Sequence, residues 1–182
     1  MKDLSLHILD LVHNAATARA SQIEIAIHED EIKNRFVLTV LDNGTGIKPE
    51  MLPTVTDAYT TSRKTRKVGL GLPLLKHSAI QAGGNLFVES EPGKGTTVTA
   101  MFKFDHIDRP PLGDIAGVLV QLIGAFEGAR FKYEHQTEQG KFCLDTDEIK
   151  QILGNVSVNN PEIRKYLKEM IAENLAEIHA NG

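Results

Sequence analysis

One cysteine, Cys143, stands in a chain of 182 residues, so no intrachain disulfide can form, and this usage fits a reducing compartment. No apolar run approaches the roughly 20 residues that a membrane helix needs. The opening "MKDLSLHILD" carries an acid and a polar periodicity, unlike a secretory signal. These absences lead us to expect a cytoplasmic protein with no membrane partner. The chain also lacks internal repeats and low-complexity segments. A basic excess is missing too. Residues 1–104 hold 12 Lys and Arg against 11 Asp and Glu, and residues 105–182 hold 8 against 13. Neither part offers the basic face that nucleic acid requires, so nucleic acid is excluded as a partner.

What is present suits a globular chain with a real core: 41% of the residues are hydrophobic and the formal charge is −4. Two prolines and a glycine in "DHIDRPPLGD" mark a linker and place a boundary at 104/105.

Leu4, Ile8, Leu11, Ala15 and Ala18 recur at helical spacing, which predicts a helix over 3–19. Asp3, His7, Asp10, Asn14 and Thr17 form a polar row beside them. Ile23, Ile25 and Ile27 alternate in a half-buried strand over 22–28, and "RFVLTVLD" predicts a second strand over 35–42. Residues 43–68 show no long period and are expected to form a loop, with a helical turn at 49–52 opened by Pro49. A helix over 70–82 closes at Gly83-Gly84. Strands over 85–90 and 96–104 follow, joined by a turn at "EPGKG". The expected class is α+β, with helices on one face of a mostly antiparallel sheet.

Beyond 104, helices are expected over 112–126, 146–153 and 161–179, with a hairpin of strands 129–135 and 141–145 around "TEQG". Asp145 and Asn160-Pro161 supply helix starts. This α+β appendage resembles no family, and its apolar helix faces leave core, partner site or second-copy site open.

Four segments carry chemistry. Asp10 and Asn14 lie four apart on one helix face; an amide oxygen suits Mg²⁺ among phosphate oxygens, and a carboxylate one turn away can orient or deprotonate a nucleophile. Taken alone, the wet face of an amphipathic helix is the simpler account. Asp42 ends a buried strand, and Gly44 and Gly46 follow it in "LDNGTGI". A carboxylate there can accept from an exocyclic amine, while glycines keep the backbone close and bare. "TTSRKTRKVGLGLPLLK" sets Arg63, Lys64, Arg66 and Lys67 before Gly69 and Gly71 at a helix start, where free N–H groups and the dipole favour phosphate. Loops of this length are often lids, and residues 54–68 are expected to be ordered by nucleotide. Thr96 in "GKGTTV" adds a hydroxyl, although a strand threonine needs no function.

Each signal is modest alone, but their order is specific. "DLVHNA", "LDNGTGI", "TTSRKTRKVGLGLPL" and "GKGTTV", over residues 4 to 104, resemble the four ATP-binding boxes of the histidine-kinase-like (Bergerat-fold) ATPases. The form "GLGL" is most similar to sensor histidine kinases. The resemblance implies a two-layer Bergerat ATP-binding domain over 1–104, with ATP and Mg²⁺ as cofactors. It assigns Asn14 to the metal, Asp10 to the general base and Asp42 to adenine. Gly44 and Gly46 follow that anchor. Thr61, Arg63, Lys64, Lys67, Gly69, Leu70 and Gly71 belong to the phosphate-facing lid and glycine box, and Thr96 to the last box.

Two departures qualify the picture. Position 10 carries Asp where the family has Glu, one methylene longer, which puts fast water activation in doubt. No phosphoacceptor domain is expected before the first box, and His7 is expected to support Asp10 rather than accept phosphate. The implied activity is therefore an ATP-dependent kinase of histidine-kinase type, with at most weak ATPase activity, acting on a separate phosphoacceptor or regulatory protein. The competing expectation is an ATP-sensing regulatory module with little turnover. A homodimer remains open.

Overall fold

The computed structural model describes residues 3–57 and 70–180. Chain order runs α1 (Leu4–Thr17), β1 (Gln22–Asp30), β2 (Arg35–Asp42), a 3-10 turn (Leu52–Thr54), α2 (Gly71–Gln81), β3 (Asn85–Glu91) and β4 (Gly95–Phe102). It continues with α3 (Ile115–Ala125), β5 (Arg130–Gln136), β6 (Lys141–Asp145), α4 (Thr146–Leu153) and α5 (Pro161–Glu177). The architecture is α+β, with helices packed on a single six-stranded sheet of order β3-β4-β2-β1-β5-β6.

Side-chain alternation dictates which face of the sheet is covered. Ile23, Ile25 and Ile27 of β1, Phe36, Leu38 and Val40 of β2, and Val98, Ala100 and Phe102 of β4 are all buried, while their neighbours in sequence are more exposed. The antiparallel register pairs Ile25 with Val40 and Val40 with Val98, so these residues share the inner face. Leu4, Ile8, Leu11 and Ala15 of α1 and Leu75 and Ala79 of α2 complete that core. Burying one such Ile or Leu contributes about 1.5–3 kcal/mol.

Residues beyond the linker join the same sheet. β5 runs parallel to β1, with Ile25 opposite Tyr133 and Ile27 opposite His135, and β6 then pairs antiparallel with β5. Parallel pairing needs a crossover, which residues 105–129 provide through α3. The β1–β5 pair is the parallel one of a sheet whose other four described pairs are antiparallel, in line with the mostly antiparallel expectation. It is tied by buried polar contacts: His135 Nε2 is 2.7 Å from Glu29 Oε1, and His135 Nδ1 is 2.7 Å from the Tyr133 hydroxyl. Burial, reinforced by Glu29, raises the Tyr133 pKa well above its usual value.

The linker also completes α1. Asp3 caps the helix by accepting from Leu6 N at 3.0 Å and from Ser5 Oγ at 2.6 Å. Leu4 N and Ser5 N donate instead to the carbonyls of Pro111 and Leu112, at 2.8 and 2.9 Å. Committing these linker carbonyls to α1 is why α3 begins at Ile115, behind its own cap Asp114, and not at 112. The turn expected at 49–52 is present, closed by Met51 N and Leu52 N donating to the Lys48 carbonyl at 2.9 and 3.3 Å, and the 3-10 turn at Leu52–Thr54 continues it. Among the described residues no helix is long and apolar enough to cross a membrane.

Candidate functional site

β2 carries Asp42 to the edge of the core, where its register partners are Ile23 on β1 and Thr96 on β4. The half-buried carboxylate accepts from Gly44 N at 2.8 Å, a local turn that short acidic side chains favour. Burial raises the Asp42 pKa, and the backbone N–H groups of Gly44 and Thr96 pull it back down.

The glycines around Asp42 are positions where backbone meets backbone. A Cβ on Gly44 would lie 2.8 Å from both Cβ and O of Ala18, the residue that caps the end of α1. Gly46 has φ of +71°, and a Cβ there would overlap the Glu91 carbonyl. A Cβ on Gly95 would overlap the carbonyl of Asp42 itself. The segment after β2 is therefore wedged between the end of α1 and the β3–β4 turn, and it is held there by Thr45 N to Ala18 O at 2.9 Å and Gly93 N to Thr45 O at 2.9 Å.

Two residues missed by the sequence reading complete this cradle. Asn43 Oδ1 accepts from Ser21 N and Gln22 N, both at 2.9 Å, locking the end of β2 to the start of β1. Ser90 Oγ accepts from Ile47 N at 2.8 Å, donates to Gly95 O at 2.8 Å and lies 2.9 Å from Thr96 Oγ1. Since the Ser90 proton is committed to Gly95, the Thr96 hydroxyl is the donor in that pair. "DNG" is a turn signal that points to a capping Asn43. Ser90 carries no such signal, because its partners are 43 residues away and on the neighbouring strand.

The second part of the site is on the helices. Asp10 is half-buried and Asn14, one turn on, is exposed. The Asp10 carboxylate takes no hydrogen bond from a described residue. Its Oδ2 lies 2.9 Å from the place a Cβ would occupy on Gly71, so the first residue of α2 abuts Asp10. Leu70 precedes α2, is 61% exposed, and gives the helix no side-chain cap, leaving the first N–H groups without that partner. α1 links the two parts: Asp10, midway along it, meets α2, and Ala18, at its C-terminal end, meets Gly44.

His7 departs from expectation. It is 1% exposed and so lies in the core, not in a wet row with Asn14 and Thr17. Neither imidazole nitrogen has a hydrogen-bond partner among the described residues. Burial lowers its pKa to about 4, against the opposing pull of Asp10 and Asp3.

Asp42, Gly44, Gly46 and Thr96 thus come together in one cluster, and Asp10 and Gly71 in another, with Asn14 on the helix between them. Thr61, Arg63, Lys64, Lys67 and Gly69, with most of the expected lid, lie outside the described residues.

Comparisons with known proteins bear on the same part of the chain. A family profile described as histidine kinase-, DNA gyrase B-, and HSP90-like ATPase matches residues 2–106. Sensor protein SrrB of Staphylococcus aureus (strain NCTC 8325 / PS 47) is 38% identical over 95 residues, which are 50% of this chain and 16% of that protein. The chain therefore matches a small part of this relative's length. A crystal structure of the N terminal domain of a DNA repair protein is similar at a TM-score of 0.56 and 19% identity, over 85% of this chain and 58% of that one, a likeness of fold. The MutL ATPase domain of Aquifex aeolicus complexed with ADP gives a TM-score of 0.49 and 17% identity over 84% and 69%.

Proposed function

Because the chain belongs to the histidine kinase-, DNA gyrase B- and HSP90-like ATPases and carries their ATP-binding domain, we propose that it binds Mg-ATP against Asp42 and passes the γ-phosphate to a separate partner protein. One observation carries the reading of the site. Asp42 keeps acceptor capacity beyond its two backbone partners, in a cradle where Gly44, Gly46 and Gly95 leave no room for side chains. A carboxylate so placed suits the exocyclic amine of adenine, and the Thr96 hydroxyl stands beside it.

The other groups fit the rest of the nucleotide. Gly69, Leu70 and Gly71 would present the uncapped start of α2 to the phosphates, with Thr61, Arg63, Lys64 and Lys67 supplying hydroxyl and charge. Among the described residues no group of three or more His, Cys, Asp or Glu would hold an ion unaided. Mg²⁺ would therefore come with the phosphates and take one oxygen from Asn14, supplying charge neutralisation. Asp10 would orient the attacking group, and phosphoryl transfer asks mainly for such positioning. Residues 1–104 form the nucleotide module in this account, and residues 105–182 are the region left for a partner or a second copy. The likeness to the sensor protein SrrB favours transfer over hydrolysis.

The test is incubation with γ-labelled ATP and an extract of the source cell. Label on a second protein, lost in the Asp42→Asn variant, supports transfer. Tight Mg-ATP binding with no label on any protein replaces it with the ATP-sensing module.

A further inference from the structure

The buried polar residues of the described chain have partners, with one exception. Ser5 donates to Asp3, Asp30 accepts from Lys33, Glu29 and His135 bond each other, and Thr146 accepts from Phe131. His7 is as buried as these, and both its nitrogens are without a partner. Burying a polar ring with neither nitrogen satisfied is costly, and an apolar residue would fill the space without that cost. An unpaired buried group in a site helix calls for a role.

The candidates for a partner are few. Carboxylates stand one turn away on each side of His7 along α1: Asp3 four residues before and Asp10 three residues after. Both act on the His7 charge. Asp3 is already committed to Leu6 N and Ser5 Oγ. Asp10 is not committed to any described donor, and its carboxylate rests on Gly71 at the start of α2. A buried ring with an N–H to give and a half-exposed carboxylate with acceptors to spare thus lie one turn apart.

We propose that His7 is a positioning residue, whose neutral imidazole donates its N–H to the Asp10 carboxylate when nucleotide engages the start of α2, fixing the direction in which that carboxylate faces the phosphates. This rests on the nucleotide reading above. No proton changes hands: the ring stays neutral, and Asp10 keeps its charge. An anchored carboxylate also suits a side chain as short as Asp, which reaches its target over a narrower range of angles than a longer acid would.

The test is ¹⁵N NMR of the imidazole side chains at neutral pH, with Mg²⁺ and a non-hydrolysable ATP analogue, with calorimetry of the same samples. The His7 signals are those absent from the His7→Leu variant. In the wild type, adding the analogue should move the protonated His7 nitrogen downfield, and in Asp10→Ala that movement should vanish while the analogue still binds. His7 signals that superimpose in wild type and Asp10→Ala, with binding intact, overturn the proposal and leave the nucleotide reading standing. No binding of the analogue to the wild type overturns both. A kinetic arm separates positioning from mere packing. His7→Leu should lower kcat roughly tenfold with KM for ATP unchanged, and His7→Gln, which keeps an N–H, should recover part of it. A His7→Leu variant that turns over like the wild type contradicts the proposal.

Discussion

The Asp10 carboxylate lies against the backbone of Gly71, with Oδ2 2.9 Å from the position a Cβ would take there. At Gly71 the neighbour is the end of a side chain, whereas at Gly46 it is backbone, and this makes the two glycine types separable. Gly71→Ala meets only the end of a side chain that can turn away. Its stability in urea should stay within about 1 kcal/mol of wild type. Its turnover should still fall, up to about a hundredfold, because a displaced Asp10 no longer faces the phosphates. Gly46→Ala meets the backbone of Glu91 at a φ of +71° and should lose roughly 1–3 kcal/mol of stability. Urea curves for the two variants that superimpose would contradict this distinction.

His7 makes stability depend on pH in a defined window. Burial takes its pKa from 6.5 to about 4 in the folded chain. Between those values the unfolded chain binds a proton that the folded chain does not, so stability falls as pH drops from 6.5 towards 4, by on the order of 3 kcal/mol in full. Asp114 and Asp145, lowered chiefly by hydrogen bonds from Lys168 and Arg130, act in the same sense at lower pH, and Asp42, raised by burial, acts in the opposite sense. His7→Leu removes the histidine contribution alone. Denaturation at about pH 7 and about pH 5 should show a smaller drop in the variant than in the wild type. Equal drops would mean that His7 titrates normally.

Asn14 offers one amide oxygen at the exposed edge of α1. If that oxygen joins Mg²⁺, a chelator should weaken ATP binding to the wild type, and Asn14→Ala should abolish most of that difference. Calorimetry with and without EDTA measures both. A folded Asn14→Ala protein with the full magnesium effect moves the metal site elsewhere.

Much of this was legible in the sequence, for identifiable reasons. β2 was readable at 35–42 because burial on one face imposes alternation, and α2 because Gly83, at φ of +71°, stops it. Asp42, Gly44 and Thr96 were placed in one cluster by motif order alone. What was not legible depends on long-range pairing. Nothing in Phe131, Tyr133 or His135 announces that they lie parallel to β1, since alternation fixes a face and not a neighbour. The burial of His7 was not legible, because helical spacing puts it in line with Asp10 and Asn14, yet its side chain lies at the border of the stripe, where α1 turns into the core. α3 was begun three residues early because the apolar pattern includes Leu112, whose carbonyl caps α1 instead.

The central claim is that Asp42 anchors adenine, and one titration tests it directly. Asp42→Asn preserves the shape and an acceptor for Gly44 N, but it turns a donor NH₂ towards the adenine amine. The lost charge-assisted bond should cost roughly 1.5–3 kcal/mol, or about tenfold to a hundredfold in Kd. Calorimetry should show the wild type binding Mg-ATP well ahead of Mg-GTP, and Asp42→Asn, folded by circular dichroism, losing ATP affinity by that factor. Equal affinity of the wild type for the two nucleotides, or unchanged ATP binding in Asp42→Asn, would contradict the account.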